Sequence, residues 1–363
     1  MKIALINPNY EGSLESKRTY LPLGLAYIAA VIRKSKKHKL KVIDAAALDL
    51  NDREVERQLK DFGAEIVCVG AVTDLLKAAI NVCRIAKKLK AISVIGGVHP
   101  TILPSETLSF DDVDIVVIGE GEYTVLELAD CIEKKKDLKK VKGIVFKQKE
   151  KKNGKIKFIT TKNREPIKNL DELPFPAREL FPWKLYSSYS SIVRKTPCMH
   201  IMTSRGCPFH CTFCASQSLW KKCRDRSPKS IADEIEHLIR NYGIREIYLF
   251  DDTFNLNLKR SEEICDEIIR RKIKVSLRVQ ARVYPITKRL LQKMKKAGVW
   301  CIYYGVESGN DKVLRDIKKA IKIEWVKKAF KMTEEAGIRT FGFFMIGLPT
   351  DTKKTIKDTL DLA

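Results

Sequence analysis

The chain has no apolar run long enough to cross a bilayer: its longest, residues 21–32, falls well short of the roughly twenty residues that hydrocarbon demands. No secretory signal is legible at the amino end, so the ten cysteines are expected as thiols in a reducing compartment, and a cytoplasmic location is expected with them. Acidic side chains are scarce, 45 against 69 basic ones, which leaves a formal charge of +24. Such an excess raises the question of a nucleic-acid or anionic-membrane partner. The lysines, however, are scattered over nearly every expected helix face (33–41, 87–90, 134–142, 147–157, 293–296), without an interleaved aromatic stripe or a nucleic-acid motif. Solvated faces are therefore favoured, and nucleic acid is not expected as a partner.

Against that background stands one triplet: Cys207, Cys211 and Cys214, in the order C-x3-C-x2-C, directly after a strand-like run at 199–202. One tight loop can aim three thiolates so spaced at a single iron-sulfur cluster. A [4Fe-4S] cube with three protein ligands keeps one iron open to bind something else, which implies chemistry rather than scaffolding. The competing reading is a zinc knuckle, but structural zinc takes four ligands, usually as paired cysteines, and no second pair lies nearby. His210, inside the loop, is a candidate ligand only if the iron reading fails. Cys68, Cys83, Cys131, Cys198, Cys223, Cys265 and Cys301 are expected as small buried hydrophobes, with Cys198 and Cys223 nearest in sequence to the loop.

With 363 residues, two ordinary domains are expected. Residues 1–142 alternate short β-rich runs (2–6, 41–43, 66–70, 93–95, 115–118) with helical ones, which reads as βαβ units around a Rossmann-like, doubly wound parallel sheet. Ligands bind such sheets beyond the carboxyl ends of the strands. There the chain places Pro8 and Asn9, the loop 70–73 with Thr73, the loop 96–101 with Gly96, Gly97 and His99, and Gly119, Glu120, Gly121 and Glu122. Residues 143–195 are expected to form a hairpin, turned by Asn153-Gly154, and a proline-punctuated connector between domains. Residues 196–363 resume βα alternation with five strand-like runs, a complete or partial (β/α) barrel whose strand ends form one active-site face. Those ends carry the cysteine loop, Asp251 and Asp252, Gln280 and Arg282, Glu307 and Ser308, and residues 347–349.

With Phe213 directly before its last cysteine, the triplet resembles the signature of the radical S-adenosylmethionine (SAM) enzymes. The resemblance implies that the open iron is chelated by the amino and carboxylate groups of SAM, and that reductive cleavage of SAM yields a 5'-deoxyadenosyl radical. It assigns SAM-binding roles to Phe213, to Asp251 and Asp252 (the amino group), to Glu307 and Ser308 (the ribose or carboxylate) and to Arg282, which would pair with the methionine carboxylate or equally form a salt bridge with Glu307. Residues 342–349, Gly347 among them, resemble the adenine-contacting strand but lack its fuller Gly-x-Ile-x-Gly-x-x-Glu form. Barrels of this family usually have six strands, whereas the helix opening near residue 350 runs out at Ala363, so a truncated barrel is expected.

The first domain resembles the cobalamin-binding domain that precedes the barrel in one large class of these enzymes. The marks are Leu21-Pro-Leu-Gly24-Leu-Ala-Tyr27, Gly96-Gly-Val-His-Pro-Thr101, Gly119-Glu-Gly-Glu122 and Leu170-Asp-Glu-Leu-Pro-Phe-Pro176. It implies that Pro8, Asn9, Gly24, Thr73, Gly96, Gly97 and residues 119–122 bind a corrin held over the open face of the barrel, and that His99 touches its nucleotide tail or equally stabilises its own turn. The Asp-x-His-x-x-Gly element that ligates cobalt in the mutases is absent: Asp44 is followed by three alanines. The resemblance thus implies a [4Fe-4S] cluster, SAM and cobalamin as cofactors, an electron donor such as flavodoxin or ferredoxin, and methylation of an unactivated carbon of a small molecule. Cyclisation or rearrangement, methylthio transfer to tRNA, and a non-catalytic redox or corrinoid-binding module stay open beside it. For methylthio transfer, three further cysteines would be needed in the first domain, where Cys68, Cys83 and Cys131 are dispersed.

Overall fold

A computed structural model describes residues 1–150, 154–187, 193–220 and 222–363. The chain forms two compact units, one from Met1–Lys168 and Glu172–Ser190, the other from Asn169–Asp171 and Ser191–Ala363.

In the first unit the β-rich runs become strands β1 (Lys2–Asn7), β2 (Lys39–Asp44), β3 (Ile66–Gly70), β4 (Ile92–Gly96) and β5 (Ile115–Val117). They lie parallel in the order β2-β1-β3-β4-β5. A central parallel strand is covered on both faces, which is why β1 reads as a continuous apolar run with Ile3 to Ile6 wholly buried. The helices carry the expected punctuation: Asp52–Phe62 opens on a capping box between Asn51 and Glu54 and ends at Gly63, whose φ of +66° suits a left-handed cap.

The hairpin does not mark a boundary at residue 143. Strand β6 (Ile144–Lys149) extends the same sheet antiparallel to β5, and β7 (Ile156–Thr160) follows antiparallel to β6, with Ile144, Val145 and Phe146 buried in the core. The Asn153-Gly154 pair signals the hairpin in the sequence but not the edge of β5 that it covers. Gly154 has the positive φ expected of the turn, while Asn153 lies outside the described residues. Most of the connector also packs on this first unit. Ala177 N–H donates to Ala26 O at 3.0 Å, and the Tyr186 hydroxyl donates to Asp44 Oδ2 at 2.5 Å.

The second unit contains β8 (Cys198–Ile201), a short antiparallel pair β9 (Ser204–Arg205) and β10 (Arg224–Asp225), then β11 (Glu246–Leu249), β12 (Ser276–Ala281), β13 (Val299–Glu307) and β14 (Arg339–Phe344). Strands β8, β11, β12, β13 and β14 are parallel neighbours in chain order, the winding of a (β/α) barrel, with five strands among the described residues. Helices Pro228–Tyr242, Leu258–Arg270, Lys288–Lys296 and Ile323–Glu335 alternate with them. Side chains of β13 alternate as strand geometry requires: Tyr304 faces the helix Ile323–Glu335, its hydroxyl 2.9 Å from Thr333 Oγ1, whereas Tyr303 faces the other way. Among the described residues no helix is long and apolar enough to cross a membrane.

Candidate cluster and cofactor sites

The cysteine loop leaves β8 at the carboxyl end of the second sheet and is held from several sides. Thr212 N–H donates to Ile317 O at 3.0 Å, Cys214 N–H to Cys211 O at 3.1 Å, and the Gln217 amide to Cys207 O. Asp251, at the end of β11, is buried and faces the loop: its Oδ1 accepts from Thr203 N–H at 2.6 Å and Ser204 N–H at 2.9 Å, and its Oδ2 from the Thr203 hydroxyl. Burial raises its pKa, partly offset by Arg260 and these donors. The two aspartates thus part company. Asp251 anchors the loop, while Asp252 is exposed and accepts from Ser216 Oγ at 2.8 Å, beside Cys214, whose Sγ is 3.5 Å from Ser216 N.

The three thiols share one electrostatic neighbourhood. Burial pushes the Cys214 thiol up, and the Cys211 and Cys207 sulfurs add to the shift. Facing them is Arg282, whose guanidinium lies 3.7 Å from the Phe209 ring centroid and donates to the Lys319 and Ala320 carbonyls. Its pKa is lowered by burial and raised by Cys211 and Cys207, and its buried Nε has no hydrogen-bond partner. A buried cation with an unused donor beside three thiols suits an anionic thiolate-bound cluster. Among the described residues only His38, Asp130 and Glu133 bring ligand atoms within 4.8 Å of one another; the three cysteines do not. The three thiols thus stand further apart than the ligands of a single zinc ion would. His210 is exposed.

Glu307 ends β13 at φ +70°, buried, with its Oε1 2.6 Å from the ammonium of Lys319, which is itself buried. The alternative pairing with Arg282 is replaced by this one. A Cβ on Gly305 would stand 2.7 Å from Glu307 Oε1 and 2.8 Å from Lys319 Nζ, so the glycine makes room for the pair. Lys319, which also lies 6.0 Å from the half-exposed Phe213 ring, escaped the sequence reading because it sits in a Lys-Lys pair indistinguishable from the surface lysines. Ser308 is wholly buried against Thr359, 3.3 Å between hydroxyls, and Gly347 is exposed at φ +91°, its N–H donating to Asp351. Cys198 lies at the opposite end of the strands from the loop, near Glu246 and Arg278, whereas Cys223 lies within charge range of Cys207.

In the first unit the strand order reverses between β1 and β3, and a cleft of about 1360 Å³ opens there, lined by Asn9 to Gly12, Lys17, Asn51 and Val72 with Asp74 and Leu75 among others. Of the residues expected to meet a corrin, only Asn9 lines it. The neighbouring loop is tied together: Thr73 Oγ1 lies 3.2 Å from His99 Nδ1, and a Cβ on Gly97, at φ +109°, would meet Ala71 O at 2.7 Å. His99 is buried with an unpartnered Nε2 3.7 Å from Glu106. Gly119 N–H donates to Thr101, Glu120 accepts from Ile167 N–H, and Glu122 is buried at a helix start. Pro8 is buried beside Asn9, and Gly96 packs on Val117, 3.5 Å from an added Cβ. Gly24 faces open space, whereas a Cβ on Gly121 would strike Ile28 at 2.9 Å, so that glycine serves helix packing. At the end of β2, Asp44 accepts from Tyr186, from Asn7 at 2.7 Å and from Ala47 N–H, so its oxygens are occupied. A large cleft at the switch point has room for a bulky cofactor, and Asp44, its oxygens occupied, offers it no ligand from β2.

A family model for the radical SAM superfamily matches residues 201–363, and one for the B12 binding domain matches residues 14–129. Over its whole length the chain is 34% identical to an uncharacterised methyltransferase of Pyrococcus horikoshii, of which it covers 78%. It is 28% identical to the anaerobic magnesium-protoporphyrin IX monomethyl ester cyclase of Rubrivivax gelatinosus, covering 65% of that protein. Its fold matches the cobalamin-dependent S-adenosylmethionine radical enzyme OxsB, with aqua-cobalamin and S-adenosylmethionine bound, at a TM-score of 0.83 and 21% identity, over 99% of this chain and 51% of that one.

Proposed function

We propose, from the premise that this chain belongs to the radical SAM enzymes that carry a B12-binding domain, that it methylates an unactivated carbon of a small molecule. It is a radical SAM enzyme, and the cofactors of the family are a [4Fe-4S] cluster, SAM and cobalamin. The observation that carries the reading is one chain holding both an open-iron cysteine loop at the strand ends of a partial barrel and a switch-point cleft in a parallel sheet.

When bound, the cluster supplies the electron that cleaves SAM to a 5'-deoxyadenosyl radical, and the corrinoid supplies a methyl carrier. The residues have distinct tasks. Cys207, Cys211 and Cys214 would hold the cluster, and Asp251 fixes the loop that carries them. Arg282 offers its unused Nε–H to the anionic cluster or to a carboxylate on the open iron. Asp252, exposed beside Cys214, is the better placed of the two aspartates to accept from an ammonium group, and Glu307, held by Lys319, presents a second carboxylate. An external one-electron donor such as flavodoxin or ferredoxin completes the reaction.

Ring formation is the second reading, favoured by the likeness to the cyclase. Methylthio transfer is disfavoured: Cys68 is on β3, Cys83 on helix Leu76–Lys88 and Cys131 on helix Glu122–Glu133, with the first two thiols pushed up to about 12 by burial. The test is anaerobic reconstitution with iron, sulfide and hydroxocobalamin, then reduction with SAM. The proposal expects iron retained, a corrin absorption band retained and 5'-deoxyadenosine formed. A loaded cluster without 5'-deoxyadenosine would sink it.

A further inference from the structure

The inner face of the second sheet carries side chains that the proposed cofactor chemistry does not use. Phe250, Tyr248, Tyr303, Phe341 and Phe343 form a continuous aromatic path across β11, β13 and β14, with successive centroids 5.2 to 5.7 Å apart. Phe341 and Phe343 are 42% and 40% exposed, a cost in water unless something apolar covers them.

The face is cationic at its end away from the cysteine loop, beside Tyr303 and Phe341. A cleft of about 400 Å³ is lined there by Arg194, Trp300, Cys301, Tyr303, Arg339 and Phe341. Next to Arg194 in the fold is Glu246, fully buried, whose carboxylate pairs with Arg278 at 2.8 Å and accepts from Arg194 N–H at 3.0 Å and Lys195 N–H at 2.9 Å. The backbone thus satisfies its Oε2, while its Oε1 is matched by the charge of Arg278. The guanidinium of Arg194 lies 5.9 Å from the Trp300 ring centroid, and among the described residues no carboxylate pairs with it or with Arg339. Two unpaired guanidinium groups at the end of an aromatic wall are a site for a small anion attached to an apolar body. From Arg339 to Phe343 the wall runs four residues along β14, roughly 13 Å, toward the end of the sheet that bears the cysteine loop.

We propose that this face binds the substrate, and that the substrate is an elongated, largely apolar molecule with an anionic terminal group, a carboxylate or a phosphate, held by Arg194 and Arg339. The assignment of this occupant as substrate rests on the radical SAM function proposed above; the binding itself does not.

The test therefore uses cluster-free protein. Decyl phosphate, decanoate, decanol and decyltrimethylammonium are titrated below their micelle concentrations, followed by tryptophan fluorescence and calorimetry, with wild type, Arg339→Lys and the double variant Arg194→Glu/Arg339→Glu. One of the two anions is expected to bind at least tenfold tighter than decanol, the stronger of them identifying the end group, and the ammonium compound weakest. Arg339→Lys should keep the preference for the anion, and the double variant should lose at least tenfold of it at an unchanged melting temperature. Equal binding of decanol and both anions, or an anion preference that survives the double charge reversal, would overturn the proposal. So would no binding of any probe, which would leave the face to a polypeptide. Formation of 5'-deoxyadenosine is scored separately on reconstituted protein; its absence would remove the proposed function and leave the binding result standing.

Discussion

Replacing Asp251 and Asp252 one at a time separates two carboxylates that the sequence presents as a pair. In Asp251→Ala, the Thr203 and Ser204 N–H groups lose their common acceptor in a buried setting, at about 1–3 kcal/mol each, and the Thr203 hydroxyl loses its partner as well. The expected loss is about 3–5 kcal/mol, a large part of an ordinary domain's stability. Asparagine is a finer probe. Both backbone donors converge on Oδ1, so an amide oxygen in that place keeps them, while the amide nitrogen meets the Thr203 hydroxyl, which can turn to accept. Asp251→Asn should therefore cost only about 1 kcal/mol. Asp252→Ala removes one contact, to Ser216, from an exposed group and should cost less than about 1 kcal/mol. Urea unfolding of cluster-free protein at pH 7 measures all three, and iron per chain after reconstitution should fall most in Asp251→Ala. The reasoning is refuted if the two alanine variants unfold at the same urea concentration.

Three further outcomes follow from the same kind of contact. Lys319→Met leaves Glu307 buried and unpaired and should cost about 3–5 kcal/mol, most of it recovered when Glu307→Gln is added; chemical denaturation of both variants checks this. Gly97→Ala forces a Cβ to within 2.7 Å of Ala71 O at a left-handed φ, at about 2–3 kcal/mol, and should weaken retention of the corrin absorption band, measured after gel filtration. Glu267 is held down to about 2 by Arg270 and Arg271, so its contribution to stability is complete above about 4.5 and is lost as pH falls toward 2. Glu267→Gln should flatten the acid branch of the melting-temperature profile in that window and leave the profile above pH 6 parallel to wild type.

What was legible in the sequence was what local spacing controls. Three cysteines within eight residues specify a loop by covalent reach alone, and βα alternation specifies parallel strands because a crossover helix permits no other pairing. The hairpin at 144–160 is legible as a hairpin but not as part of the first sheet, since which edge it covers depends on where β5 ends up, a property of the whole sheet. The loops after β1 and β3 were expected at a ligand site and do border the switch-point cleft, yet Gly121 is explained by Ile28, a neighbour from a helix some ninety residues earlier.

The same limit decides the cluster site. Asp251 and Asp252 are adjacent in sequence, so alternation along a strand end must send them to different surroundings, but composition gives no sign of which faces the loop. Lys319 is the sharper case. A lysine is buried only when a carboxylate waits for it, and the carboxylate here is Glu307, placed by a positive φ and by a glycine whose missing Cβ leaves the space. Each condition is local, but their coincidence is tertiary. A buried cation in a lysine-rich chain is therefore invisible until the strand that pairs with it is in place, and sites assembled this way are where a resemblance to a family supplies least and the side-chain geometry most.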